Sequence, residues 1–198
     1  MKIEQAIEEL NKVKKRNFSQ SYDLVISIRN IDLKKPENRF SKEVFLPHGR
    51  GKEIEVGIIS DSIPNAVLDK GALNSIDKKK IREITSKYEF FVCEAPLMPL
   101  VGKVLGRYLA PKGRMPKMLP PGRDHKPVIE ELKKSVRIRV RDSPTIQVAV
   151  GTEKMPPEQI KENVRKVVDE LKKTLPGKAT IKDAYIKLTM TPAIRIEV

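Results

Sequence analysis

The stretch from Ala95 to Pro127, APLMPLVGKVLGRYLAPKGRMPKMLPPGRDHKP, limits the fold more than any other part of the chain. Prolines and glycines interrupt it every few residues. A proline inside a helix removes a hydrogen bond and crowds the preceding turn, and inside a central strand it removes a ladder bond. The stretch can therefore be neither one long helix nor one long strand, although Leu100–Leu109 contains no proline and can form a short helix. It also holds seven Lys or Arg (Lys103, Arg107, Lys112, Arg114, Lys117, Arg123, Lys126) against one acid, Asp124. With few apolar anchors it reads as a displayed positive surface facing a polyanion, or as a basic linker or lid.

The rest of the composition points the same way. The 198 residues carry 40 Lys or Arg against 26 Asp or Glu, a net charge of +14, and such an excess is best tolerated when a partner such as nucleic acid neutralises it. Four Tyr, five Phe and no Trp are too few for a surface that stacks many successive bases. The single cysteine, Cys93, lies in the apolar run EFFVCEA and reads as a small buried hydrophobe; it has no partner for an internal disulfide. One Cys and two distant His do not make a zinc site, so no metal or other cofactor is expected. No run of 18 apolar residues and no signal-peptide core occur, which predicts a cytoplasmic chain with no membrane partner.

Taken in order, Lys2–Lys15 reads as an amphipathic helix with Ile3, Ile7, Leu10 and Val13 or Lys14 on one stripe. Tyr22–Ile31 alternates as a strand with Leu24, Ile26 and Ile28 on one face, and Glu43–Leu46 is a second short strand. The middle reads strand (Glu53–Ser60), helix (Ser62–Leu73), helix (Lys78–Glu83), strand (Lys87–Glu94), the order of a small parallel α/β unit with crossover helices. The basic stretch leaves directly from a strand end, where ligand loops of open α/β sheets lie. Beyond it comes a short helix, VIEELKKS, and then Val136, Ile138 and Val140 alternate with Arg137, Arg139 and Arg141. This strand and Ile146–Val150 look like a hairpin, with no acid nearby in sequence to relieve the three arginines. Pro157–Thr174 is the clearest helix, with Pro at its start, Ile160, Val164, Val167, Val168 and Leu171 on a stripe, and Leu-Pro-Gly to stop it. Tyr185–Thr189 and Ile194–Val198 read as closing strands.

Both flanks thus carry a helix with antiparallel-looking strands, while the middle reads parallel. The expected fold class is α/β in two domains: residues 1–51 and 135–198 forming one split domain, and 52–134 forming a domain inserted into it. The two crossings, at Gly49 and Gly51 and near Lys134, would act as a hinge.

Five segments then carry a resemblance: NFSQSYDLVISIRNIDLKKPENR (Asn17–Arg39), LPHGRGK (Leu46–Lys52), GKVLGRYLAPKGRMPK (Gly102–Lys117), VRDSPTIQVAVGTEKM (Val140–Met155) and YIKLTMTP (Tyr185–Pro192). In this order, over nearly the whole length, the chain resembles the ribosomal L-one family, the side-stalk protein of the large subunit beside the tRNA exit site, in its archaeal form. The resemblance implies a split α/β domain that binds an rRNA stalk, an inserted Rossmann-like three-layer domain, and a monomer when free. It also implies help in releasing deacylated tRNA from the exit site and repression of the protein's own messenger through a mimic of the rRNA site. Carried over residue by residue, the RNA site would be Arg16, Phe18, Ser21 and Asp23 on the first strand, Asp142 and Thr145 in the hairpin, and Thr189, Met190 and Thr191 near the C-terminus. Lys103, Arg107, Lys112, Arg114 and Lys117 would form a secondary basic surface. On sequence alone Phe18 reads as core; the resemblance instead places it on a ribose or base.

Two positions depart from the family pattern. Thr191 stands where the family has Gly, and a β-branched residue there implies a negative φ, with the side chain outside the RNA surface. Lys112 stands where the family has Arg, which keeps the charge and loses the planar fork. A generic basic protein for structured RNA is the alternative reading. A nuclease is disfavoured: there is neither GxGxxG nor GxxxxGK[ST], and the adjacent Glu130 and Glu131 would diverge on a helix instead of sharing a metal.

Overall fold

A computed structural model describes residues 1–13, 16–52, 54–63, 66–119 and 125–197. In chain order its elements are α1 (Ile3–Asn11), β1 (Ser21–Arg29), β2 (Phe40–Phe45), β3 (Val56–Ile59), α2 (Lys70–Ser75), α3 (Lys78–Lys87), β4 (Phe90–Glu94) and α4 (Met98–Val104). They continue as α5 (Gly106–Lys112), β5 (Lys117–Leu119), α6 (His125–Lys133), β6 (Ser135–Val140), β7 (Thr145–Thr152), α7 (Pro157–Thr174), β8 (Thr180–Leu188) and β9 (Ile194–Ile196). The architecture is mixed α/β. Contacts divide the chain into two compact units, Met1–Lys52 with Lys134–Val198, and Glu53–Lys133.

In the first unit four strands form an antiparallel sheet in the order β7-β1-β8-β9. The period-2 pattern of β1 sends Tyr22, Leu24, Ile26 and Ile28 to one face, where all four are buried. Ile146, Val148 and Val150 of β7 and Ala184, Ile186 and Leu188 of β8 join them. Helices α1 and α7 supply the other half of this core with Ala6, Ile7 and Leu10 and with Ile160, Val164, Val167, Val168 and Leu171. The α7 stripe and limits agree with the sequence reading. α1 is shorter than expected: it stops at Asn11, which accepts a 2.5 Å hydrogen bond from the Tyr22 hydroxyl, and Val13 is exposed beyond it. Lys14 and Lys15 lie outside the described residues.

The expected hairpin of β6 and β7 does not form. β7 pairs with β1, whereas β6 pairs antiparallel with β2, so that consecutive strands enter different sheets. The pairing also answers the arginine repulsion: Arg137 lies opposite Glu43 on β2 and bonds it at 3.2 Å, and Arg141 sits 3.7 Å from Asp142. Arg139 has a partner as well. For Arg137 the relieving acid is 94 residues away in sequence and becomes a neighbour only through strand pairing, whereas Asp142 adjoins Arg141 in the sequence.

The second unit holds a parallel sheet in the order β3-β4-β5, with Val56 to Ile59 in register with Phe90 to Cys93. Helices α2 and α3 connect the first two strands, as expected for a parallel crossover. Among the described residues of Ser62–Leu73 the expected helix is present only from Lys70 on, and Pro64 and Asn65 lie outside the described residues. Ser60 Oγ accepts from the amides of Ser62 and Ile63, and Val67 bonds Ile58, laying Leu68 beside β3; helix begins only after Asp69, whose carboxylate caps Ala72 N at 2.6 Å. Local side-chain bonds of this kind offer the backbone an alternative to helix.

The basic stretch is not the coreless surface that its composition suggested. It folds as two short helices broken at Leu105, and Leu97, Val101, Leu105 and Leu109 recur every four residues and are buried against Ile59, Leu73, Ile81 and Phe91. Four anchors at helical spacing suffice to seat it. Gly113, at φ +66, ends α5 in a left-handed cap that a residue with a Cβ would strain. Arg123 and Asp124 lie outside the described residues.

Candidate nucleic-acid interface

One end of the four-stranded sheet gathers most of the residues that the resemblance nominated. The start of β1 and the turn after β8 are stitched together: Ser21 N donates to Thr189 Oγ1 (3.2 Å) and Thr189 N to Ser21 O (3.1 Å). Gln20 is buried; its Oε1 accepts from Met190 N at 3.1 Å, and its carbonyl accepts from Glu153 N beyond β7. Three chain segments are therefore held together at one buried residue, through its side-chain amide and its backbone carbonyl. Nothing in the sequence singles out Gln20, because a glutamine before a strand is ordinarily a surface residue.

On this braced backbone Phe18 and Met190 stand exposed, at 50% and 59% of their full accessible surface. Leaving two large apolar side chains half in water forgoes about half of the roughly 1.5–3 kcal/mol that full burial of each would give. Phe18 is therefore not part of the core, contrary to the reading from sequence alone. Arg16 is exposed beside it. Thr191 does not have a positive φ; among the described non-glycine residues only Asn30 does. Its side chain turns inward instead, with Oγ1 accepting from Leu188 N at 2.9 Å, and closes the Leu188–Thr191 turn.

Asp23 points to the sheet face opposite the helices. Burial holds its carboxyl above the usual carboxylate range, while Lys187, its cross-strand neighbour, and Lys52 pull it back down. Thr145 lies on the same face of the sheet but not at this end, and Asp142 precedes it in the exposed turn between β6 and β7. Thr145 pairs with Ser27, six residues along β1 from Ser21, or roughly 20 Å at about 3.3 Å per residue. The nominated residues form a track along the sheet, with one cluster at each end, and not a single pocket.

The secondary basic residues separate into two kinds. Lys103, Arg107 and Lys117 are exposed. The heads of Lys112 and Arg114 turn into their own unit. Arg114 donates to the carbonyls of Thr85 (2.7 Å) and Tyr88 (3.1 Å), and Lys112 to Thr85 O at 3.3 Å. They satisfy carbonyls at the C-terminal end of α3, where cations are also favoured by the helix dipole. Composition cannot separate a cation that caps from one that is displayed.

At the crossing, Gly49 and Gly51 both take positive φ. Asn163 on α7, fully buried, donates to the carbonyls of Gly49 and Val150 at 2.8 Å each, and a Cβ on Gly51 would meet Thr152 Oγ1 at 2.5 Å. Leu46 N bonds Lys134 O. Cys93 is buried, which pushes its thiol up to about 11, so it is inert at neutral pH. Among the described residues no group of His, Cys, Asp or Glu could hold a metal, and no helix is long and apolar enough to cross a membrane.

The sequence model described as the Ribosomal protein L1p/L10e family matches residues 10–192. Similar proteins include the large ribosomal subunit protein uL1 of Pyrococcus horikoshii, 43% identical over 209 aligned residues that cover 99% of this chain and 95% of that protein. The protein of that name from Methanocaldococcus jannaschii is 42% identical, covering 98% and 94%. The one from Thermococcus kodakarensis is 38% identical, covering 99% and 97%.

Proposed function

We propose, from the premise that the chain belongs to the ribosomal protein L1p/L10e family, that the Met1–Lys52 and Lys134–Val198 unit is a split domain that binds a stalk of large-subunit rRNA. The chain is a structural constituent of the large ribosomal subunit and not an enzyme, and its place is the ribosome in the cytoplasm. The observation that carries the site is the braced end of the sheet. Gln20, Ser21, Thr189 and Thr191 fix the backbone while Phe18 and Met190 stay in solvent. A surface arranged before its partner arrives loses little entropy on binding, and folded RNA offers riboses, base faces and 2′-hydroxyls to such groups.

The finer parts of the proposal follow from the family. The Glu53–Lys133 unit is an inserted Rossmann-like domain, and its parallel β3-β4-β5 sheet with crossover helices supports that reading. Lys103, Arg107 and Lys117 on it offer charge to exit-site tRNA. The protein assists release of deacylated tRNA and represses its own messenger, whose leader presents the same RNA shape as the rRNA site. The free chain is a monomer, with Gly49, Gly51 and Lys134 at its hinge.

The test is a binding comparison of the rRNA stalk with an unrelated structured RNA at two salt concentrations. Phe18→Ala and Met190→Ala should lower the preference for the stalk while leaving the salt slope in place. Equal losses on both RNAs would remove Phe18 from the site.

A further inference from the structure

We propose that Tyr185, in the middle of the face of the four-stranded sheet opposite α1 and α7, is a nucleotide seat on the RNA track, its ring lying against a ribose or base of the rRNA. The inference deepens the rRNA reading of the split unit and depends on it.

It rests on register and on unused groups. β1 lies between β7 and β8, and the pairings place Gln147, Val25, Tyr185 and Arg195 in one row across the four strands. Strands spaced by about 4.8 Å make that row roughly 14 Å wide. The opposite face of the same strands forms the core beneath α1 and α7. Val25 and Tyr185 belong to no hydrophobic cluster and are only half-buried, and Gln147 is exposed. An aromatic ring beside a β-branched residue on an otherwise polar face is thus not explained by packing inside the unit.

The polar groups around the ring are also available. Among the described residues the Tyr185 hydroxyl, the Gln147 amide and the Lys187 ammonium make no hydrogen bond or ion pair within the protein. The acids of this face are already occupied: Asp183 by Arg195 at 2.5 Å, and Asp23 by the field of Lys187 and Lys52. The row is therefore an apolar floor bordered by an amide and an ammonium, the combination that accepts a sugar or base with its phosphate to one side. Its position supplies the occupant. Tyr185 lies opposite Val25, between Ser21 at one end of the track and Ser27, opposite Thr145, at the other. An RNA that touches both ends must cross it, and a chain of net charge +14 favours that polyanion.

The experiment uses the full chain and a fragment of the large-subunit rRNA stalk, with an unrelated structured RNA for comparison. Tyr185→Ala should weaken stalk binding by about tenfold or more, as expected for loss of one aromatic contact to a nucleotide, and Tyr185→Phe should stay within about threefold of wild type. A Tyr185→Ala affinity within about twofold of wild type, in a preparation where Phe18→Ala does reduce stalk preference, overturns the Tyr185 proposal and leaves the rRNA site standing. Loss of stalk preference in the wild-type chain overturns both. Should Tyr185→Ala melt, photocrosslinking of wild-type protein to 4-thiouridine-labelled stalk RNA decides. Crosslinks in the Ile181–Lys187 peptide support the seat, and crosslinks confined to Arg16–Ser21 and Thr189–Thr191 overturn it.

Discussion

Asn163→Ala tests how firmly the chain is held where it leaves the split unit. The side chain is fully buried, and its Nδ2 donates to the carbonyls of Gly49 and Val150 at 2.8 Å each. Val150 sits at the bulge where the β1–β7 register skips from Gly151 to Ala149, so Asn163 reaches a carbonyl at the irregular point of the ladder. Truncation leaves two buried acceptors without these donors, at about 1–3 kcal/mol each, and opens a small cavity. Water entering the gap recovers part of this, so the expected loss is about 3 kcal/mol. Urea unfolding followed by far-UV circular dichroism gives the magnitude. Because two units need not melt together, amide hydrogen exchange should assign the loss. Protection should fall in Leu46–Gly51 and in β7 and hold in β3 and β4. A loss below about 0.5 kcal/mol, or an equal fall of protection in β3 and β4, would refute the reasoning. Asn163→Asp should be worse at neutral pH, since it aims a carboxylate at two carbonyl oxygens, and should recover partly in acid as that carboxylate protonates.

Three further outcomes are expected. Burial raises the Asp23 carboxyl, so the native state holds that proton more tightly than the unfolded chain and stability falls as pH rises through its range. Asp23→Asn should therefore raise the melting temperature at pH 7, an advantage that fades below about pH 4; unchanged melting at both pH values would contradict it. Arg114→Ala should cost the second unit about 2 kcal/mol by urea unfolding through loss of two carbonyl partners, whereas Arg107→Ala should leave stability intact and lower the salt slope of RNA binding by about one unit. Thr191→Gly removes the hydroxyl that accepts from Leu188 N but meets no positive φ, so stalk affinity should move by less than about tenfold, and a larger gain would show that the Thr obstructs the site.

What the sequence shows of the fold follows the reach of each interaction. The α7 stripe and the alternation of β1 are local patterns set by helix and strand periods, and both reappear residue for residue in the core. The β6–β7 pair misleads for the same reason: two alternating strands beside a turn look like a hairpin, while β2, the true partner of β6, lies about 90 residues upstream. The relief of Arg137 by Glu43 travels with that pairing and is equally invisible along the chain. The Ser62–Leu73 segment fails through chemistry that periodicity ignores, the Ser60 hydroxyl and Asp69 carboxylate competing for amides that a helix would otherwise use.

The candidate site divides along a different line. Of the residues nominated by resemblance, Arg16, Phe18, Asp142, Thr189 and Met190 are exposed, Ser21, Asp23 and Thr145 are half-buried and Thr191 is buried, and their mutual placement is a property of the sheet. Ser21 and Thr189 touch although 168 residues separate them, while Thr145, nominated with them, lies six positions along β1. Charge counting fares worst, because it treats every cation alike. Lys112 and Arg114 sit in the stretch that composition marks as a displayed surface, yet their donors end on carbonyls of α3, and the leucines between the cations become core. A positive segment can be basic because a helix end needs cations as well as because a polyanion does. The two uses are told apart by asking which heads remain unpaired once the chain has folded. On that criterion the five nominated cations of the second unit reduce to Lys103, Arg107 and Lys117, and these are the positions where a salt-dependent loss of RNA affinity should be sought.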